Sequence, residues 1–218
     1  MLTDPINEYY KITNWLSTLI GSNITPTKLV KRLRKFLKQS HPVKISLEYN
    51  TVLDFDDFAI SAEYDVWRDE DGKKPIALSI YINHLLDEPW TITEDIVNAL
   101  SLDIVEALAH EYQHLYQYRI RNYMLNEPFF STVEDQELKE EQEYLGQLDE
   151  IDAYAANIAV RMYIKNHPMP GTNCSLDLNK YRTAFGNNHW VVRRLLKKIS
   201  KRLLELRDLD SQRTLIKT

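Results

Sequence analysis

Cysteine is nearly absent. Cys174 stands alone among 218 residues, so no intrachain disulfide is expected and no thiolate cluster is available to a metal, which fits a reducing compartment. No apolar run approaches membrane-spanning length, and the N-terminus lacks the basic and apolar pattern of a signal peptide. No Gly/Ser/Pro-rich stretch marks a linker, which makes one domain over residues 1–218 the simplest organisation. An excess of positive charge is missing too. At a net charge of −5, bulk electrostatics does not point to nucleic acid. Two basic clusters depart from that balance, Lys28, Lys31, Arg32, Arg34, Lys35 and Lys38, and Arg193, Arg194, Lys197, Lys198, Lys201 and Arg202. Such runs are ordinarily solvated helix faces. The expectation is a cytoplasmic protein with neither a membrane nor a nucleic acid as partner.

What the chain does have is His110-Glu111-Tyr112-Gln113-His114, an H-E-x-x-H motif. Histidines at i and i+4 project from one face of a helix, a turn apart, so both imidazoles can bind one ion. The pattern suggests zinc, with Glu111 as the carboxylate that takes a proton from the attacking water. Helical periodicity supports the placement: Ile96, Leu100, Ile104, Leu108, Leu115 and Ile120 recur at helical spacing, with Val97, Val105 and Tyr112 widening the stripe. Thr91-Ile92-Thr93-Glu94 has the spacing of a capping box and predicts the start of this helix.

A catalytic zinc takes three protein ligands and leaves a fourth position open. The third is expected from a helix over 134–164, where Tyr144, Leu148, Ile151, Ala155, Ile158 and Met162 form a stripe behind an acidic run. Asp149, Glu150 and Asp152 all lie in it. Glu150 is the expected ligand, because Gly146, Ala153 and Asn157 share its face and small neighbours permit close approach. On that reading Asp149 is dispensable for the metal, and Asp152 is at most a supporting group.

H-E-x-x-H followed by the helical Glu150-Ile151-Asp152-Ala153 resembles the zincin metallopeptidases of the gluzincin kind, in a layout similar to thermolysin-like and ImmA/IrrE-type proteases. The resemblance spans about residues 76–160. It implies that His110, His114 and Glu150 bind Zn2+ and that Glu111 is the general base. Gln113 stands where ImmA/IrrE-type chains often have Gly. Tyr154 stands where they have the Asn or Asp that would orient a ligating histidine, which leaves that role to Asp152 or Asn157. The resemblance also implies that the strand before the helix, Ile76 to Asn83, is a sheet edge on which an extended peptide or protein substrate pairs. His84, at the end of that strand, is the alternative histidine. The expected activity is zinc-dependent hydrolysis of peptide bonds in an intracellular protein, the alternative being a non-catalytic zincin-like protein-binding module. Tyr181 and His189, in a segment with loop character, are the candidate donors to the oxyanion.

The expected fold is α+β, a zincin-like domain with a small antiparallel or mixed sheet and a central H-E-x-x-H helix. An N-terminal helical layer covers 1–40, with Thr25-Pro26 opening a basic amphipathic helix. A sheet covers 43–84, including a hairpin of Glu63–Trp67 with Pro75–His84 joined through the turn signal Asp71-Gly72. Active-site helices cover 91–164, and a C-terminal helix covers 188–209.

Overall fold

In the computed structural model, residues 4–50, 53, 58–83, 88–166 and 176–216 are described, with side chains to 212. His84 and Cys174 lie outside the described residues. The architecture is α+β: helices predominate and the strands form two small sheets. No helix among the described residues is long and apolar enough to cross a membrane. The chain gathers into two compact units, Asn7–Glu111 and Tyr112 onward together with the first residues; the division falls within one unbroken helix.

Helix α1, Pro5–Ser17, and helix α2, Pro26–Leu37, form where the apolar spacing predicts them. Thr25 caps α2: its hydroxyl accepts the N–H of Lys28, and Pro26 occupies the first turn, where its missing N–H costs nothing. Leu29, Val30, Leu33 and Leu37 are buried, and α2 packs on strand β2. A buried Glu8–His41 contact of 3.0 Å ties α1 to the segment that follows α2.

Strand β1, Asn23–Ile24, was not predicted; it pairs with β5, Trp90–Thr91, in a short antiparallel ribbon. The main sheet holds β2, Val43–Tyr49, β3, Phe58–Tyr64, and β4, Ile76–Ile82, in the order β2-β4-β3. The expected hairpin is present, with β3 antiparallel to β4 and Tyr64 opposite Ile76. Its connection differs, because Asp65 accepts the N–H groups of Trp67 and Arg68 and so starts a short helix α3, Val66–Glu70, over the expected end of the strand and start of the turn. β4 is also parallel to β2. The strand predicted to be an open edge is therefore central and hydrogen-bonded on both sides, so a substrate strand cannot add to it. Its buried Ile76, Leu78, Ile80 and Ile82 make it a core strand.

Helix α4, Glu94–Ile120, carries the H-E-x-x-H motif. Its cap is Thr93, whose hydroxyl accepts the N–H of Ile96; Thr91 lies in β5 and bonds Asn23 instead. The predicted helix over 134–164 is two helices, α5, Gln136–Leu145, and α6, Leu148–Ile164. They part at Gly146, packed so tightly that a Cβ there would strike the Phe129 ring and come within 2.8 Å of the Gln142 carbonyl oxygen. Helix α7, Leu176–Phe185, takes the place of a predicted loop, and α8, Trp190–Ile216, extends past the predicted end. In this unit α6 packs chiefly along α8. Ile151, Ala155, Ile158 and Met162 are buried on α6, and Val192, Leu195 and Ile199 on α8. Each buried Ile, Leu, Val or Met of this seam contributes about 1.5–3 kcal/mol to folding, and Ala155 less.

Candidate metal centre

The periodicity that buries Leu108 and Leu115 on α4 leaves His110 half-buried and places Glu111 and His114 in buried positions of the same helix. From the first turn of α6, Glu150 brings its Oε1 to 3.4 Å from Nε2 of His114. With His110 one turn earlier on α4, the three residues offer donor atoms that all lie within 4.8 Å of one another. Two ligands about 2.1 Å from a tetrahedral ion stand about 3.4 Å apart. The His114–Glu150 separation has that value and is longer than the roughly 2.7–2.9 Å of a tight charge-assisted hydrogen bond. Two imidazoles and one carboxylate within this distance of one another could hold a metal ion, and the donor types suit zinc among others.

The three acids of α6 have separate fates. Glu150 goes to the histidines. Asp149, predicted to be dispensable, accepts both terminal N–H groups of Arg121 at 2.7 and 2.6 Å and the amide of Asn126 at 3.3 Å. Gln117 also donates to the Asp149 backbone carbonyl at 3.3 Å. The Asp149 hydrogen bonds raise the Arg121 pKa further above its already high value. Asp152 lies 3.0 Å from Nζ of Lys198 on α8, and Asn157 donates to Asp177. Neither bond directs these groups to the histidines. The small-residue face drawn through Gly146 is not a helix face, since Gly146 lies in the break between α5 and α6.

Tyrosines surround the third ligand, and sequence reasoning missed two of them. Burial first, then the charge of Glu150, raises the Tyr144 hydroxyl pKa far above the usual phenol value, with hydrogen bonds to Tyr154 and Glu150 adding to the shift. Tyr181 is raised similarly, by burial first and by Glu150 next. The ring of Tyr154 lies 6.5 Å from that of Tyr144 and 5.4 Å from that of Tyr181, both edge-on. Tyr154, where the Asn or Asp was expected, thus stands among phenols that lie around Glu150. The available signal was Tyr154 at i+4 from Glu150, the spacing that puts two side chains on one face.

The two proposed oxyanion donors are placed differently from each other. Tyr181 is on α7, fully buried, and its hydroxyl finds no hydrogen-bond partner among the described residues. It is sealed from solvent, so the structure does not present it as an exposed donor. His189 stacks on Phe185 with 4.9 Å between ring centres, and its Nδ1 accepts the N–H of Val191 at the start of α8. That is a capping role.

Comparison with known proteins adds no relative: no family model, curated protein or solved structure matches the chain.

Proposed function

We propose that the chain is a zinc-dependent hydrolase of peptide bonds with a zincin-like site, acting on a protein or peptide bound in extended form. The observation that carries this reading is the convergence of His110, His114 and Glu150, with Glu111 next to the first ligand on the same helix. His110 and His114 supply neutral nitrogens, Glu150 supplies a carboxylate oxygen, and the phenols around Glu150 help fix its orientation. A bound zinc ion would polarise the scissile carbonyl and lower the pKa of water toward about 7. Glu111 takes the proton of the attacking water and delivers it to the leaving amine. Since β4 is paired on both sides, an extended substrate has to use another surface than the one the resemblance implies.

A second reading rests on the enclosure of the donors. The side chains of His114 and Glu150 are only 10 and 12% exposed, which leaves little open surface beside the donors for a substrate. In that case the chain is a non-catalytic zincin-like module that binds a protein. Glu111→Gln separates the two. It is nearly isosteric, so a peptidase keeps its zinc and loses cleavage, scored as new N-termini in a cell lysate with chelator-treated protein as control. Stoichiometric zinc with no new termini from the unmodified protein across varied lysates favours the module, and absence of zinc from the purified protein refutes both.

A further inference from the structure

Helix α2 presents charge of one sign on its outer face. Within Pro26–Leu37 it carries Lys28, Lys31, Arg32, Arg34 and Lys35 and no acid, with Lys38 as its C-cap, on a chain of net charge −5. All six cations are exposed, and among the described residues none makes an ion pair. Lys28, Lys31, Arg32 and Lys35 follow the i, i+3, i+4, i+7 pattern of one helix face, with about 5.4 Å per turn. The opposite face, Leu29, Val30, Leu33 and Leu37, is buried in the protein's own core, so this helix has no apolar stripe to insert into a bilayer.

The second observation lies at the end of that face. Trp15 of α1 stacks on Phe36 of α2, 4.8 Å between ring centres and 12° from parallel. Beside them is a cleft of about 420 Å³ lined by Trp15, Phe36, Arg32, Lys35 and Gln39, with no acid in its wall. That volume falls within the range of small-ligand pockets, roughly 300–1,000 Å³. Cations for phosphates beside aromatic rings for bases are the two components of single-strand recognition.

We infer that this face binds single-stranded nucleic acid, with phosphates along Lys28, Lys31, Arg32 and Lys35 and a base entering the cleft beside Trp15 and Phe36. The inference is independent of the metal centre. A duplex offers the phosphates but keeps its bases stacked, so the cleft favours a single strand.

The test is fluorescence anisotropy of the intact protein with labelled oligo(dT) and oligo(rU) of about 16 nucleotides, the upper end of single-strand site sizes. Four phosphate contacts predict a log–log salt slope near −3, or about 50-fold weaker binding between about 50 and 200 mM salt. Lys28→Glu, Arg32→Glu and Lys35→Glu combined should weaken binding at low salt at least tenfold and flatten the slope by about 2. Arg193→Glu, Arg194→Glu and Lys197→Glu, an equal charge change on α8, should leave most of the affinity. Trp15→Leu or Phe36→Leu should cost about tenfold with the slope unchanged. Equal loss from the α2 and α8 triples means bulk charge alone and overturns the site. Duplex binding as tight as single-strand binding removes the base from the cleft. Binding to phosphatidylserine vesicles but to neither oligonucleotide overturns the assignment to nucleic acid.

Discussion

Asp149→Asn tests whether one ion pair sets both the stability of α6 and the position of its metal donor. Asp149 is 10% exposed and Arg121 24%, and they meet through two hydrogen bonds of 2.6 and 2.7 Å. Asparagine keeps the size of the side chain, removes the charge, and turns an amide N–H₂ toward a guanidinium that can only donate. A hydrogen bond to a charged group contributes about 1.5–3 kcal/mol, and the partial exposure of Arg121 lets water replace some of it, so the expected cost is about 2 kcal/mol. For a chain of this length that is about 4–8 °C in melting temperature. Glu150 is the next residue, so a displaced first turn of α6 should weaken zinc binding as well. The assays are thermal unfolding in chelator, which reads stability without metal, and zinc competition against a chromophoric chelator. Arg121→Met and the double variant complete a cycle in which the double should cost little more than the larger single change. An unchanged melt in chelator, or additive single effects, would show that the pair does not hold α6. Unchanged zinc affinity with a lowered melt would show that Glu150 keeps its place without Asp149.

His110→Ala, His114→Ala and Glu150→Ala should each remove most bound zinc, whereas Asp152→Ala should retain it; metal analysis of the purified variants decides, and stoichiometric zinc in both histidine variants would place the site elsewhere. Glu8→Gln should flatten the acid limb of the stability profile. The hydrogen bond from His41, outweighing burial, holds Glu8 below its ordinary 4.5, so its contribution is fully present above that value and is lost as pH falls through the lower folded pKa. Chemical unfolding across that range should show the wild type losing its advantage over the variant as pH drops, and a constant gap would refute the assignment. Gly146→Ala should cost about 1–3 kcal/mol in denaturant titration, because φ of −76° suits any residue and the penalty is steric overlap with Phe129; a neutral result would mean that the ring moves aside freely.

Local signals carried much of this structure. The Thr25-Pro26 start of α2 and the long α4 with its motif follow from spacing within one segment, whereas Glu150 reaches His114 from a different helix. What sequence reasoning misplaced depends on partners distant in the chain. β4 alternates in burial like a half-buried strand, yet it is central because β2 adds to it in parallel from about thirty residues upstream, and no local pattern states which neighbours a strand will have. Gly146 was read as a small helix residue, whereas Phe129 packs where its side chain would be and the helix breaks there. Asp149 and Glu150 are adjacent acids on one acidic helix; what separates them is Arg121, just past the end of α4 and about two turns beyond the motif. Tyr181 sat between turn-like residues, and it is buried on a helix that packs against α5, α6 and α8, its ring edge-on to Tyr154 of α6.

The residue that fitted the resemblance worst shows how α4 divides its work. Gln113, in place of the common Gly, is 3% exposed and accepts a hydrogen bond from Nη2 of Arg202 on α8 at 2.8 Å. Gln117 and Arg121 follow at intervals of four, and both reach Asp149 on α6. Residues at this spacing lie in a row along one side of a helix. His110 and His114 form a parallel row displaced by one residue. One row therefore carries the candidate chemistry while the neighbouring row fixes α4 against the two helices that pack on each other, α6 and α8. A glycine at 113 would permit closer backbone approach but would leave Arg202, a partly buried cation, without its amide acceptor. The departure at 113 thus has a structural cause in Arg202. It predicts that Gln113→Gly lowers stability with zinc stoichiometry retained, whereas His114→Ala loses the zinc. Loss of zinc from the Gln113→Gly protein at a temperature where it remains folded would mean that the two rows are not separable.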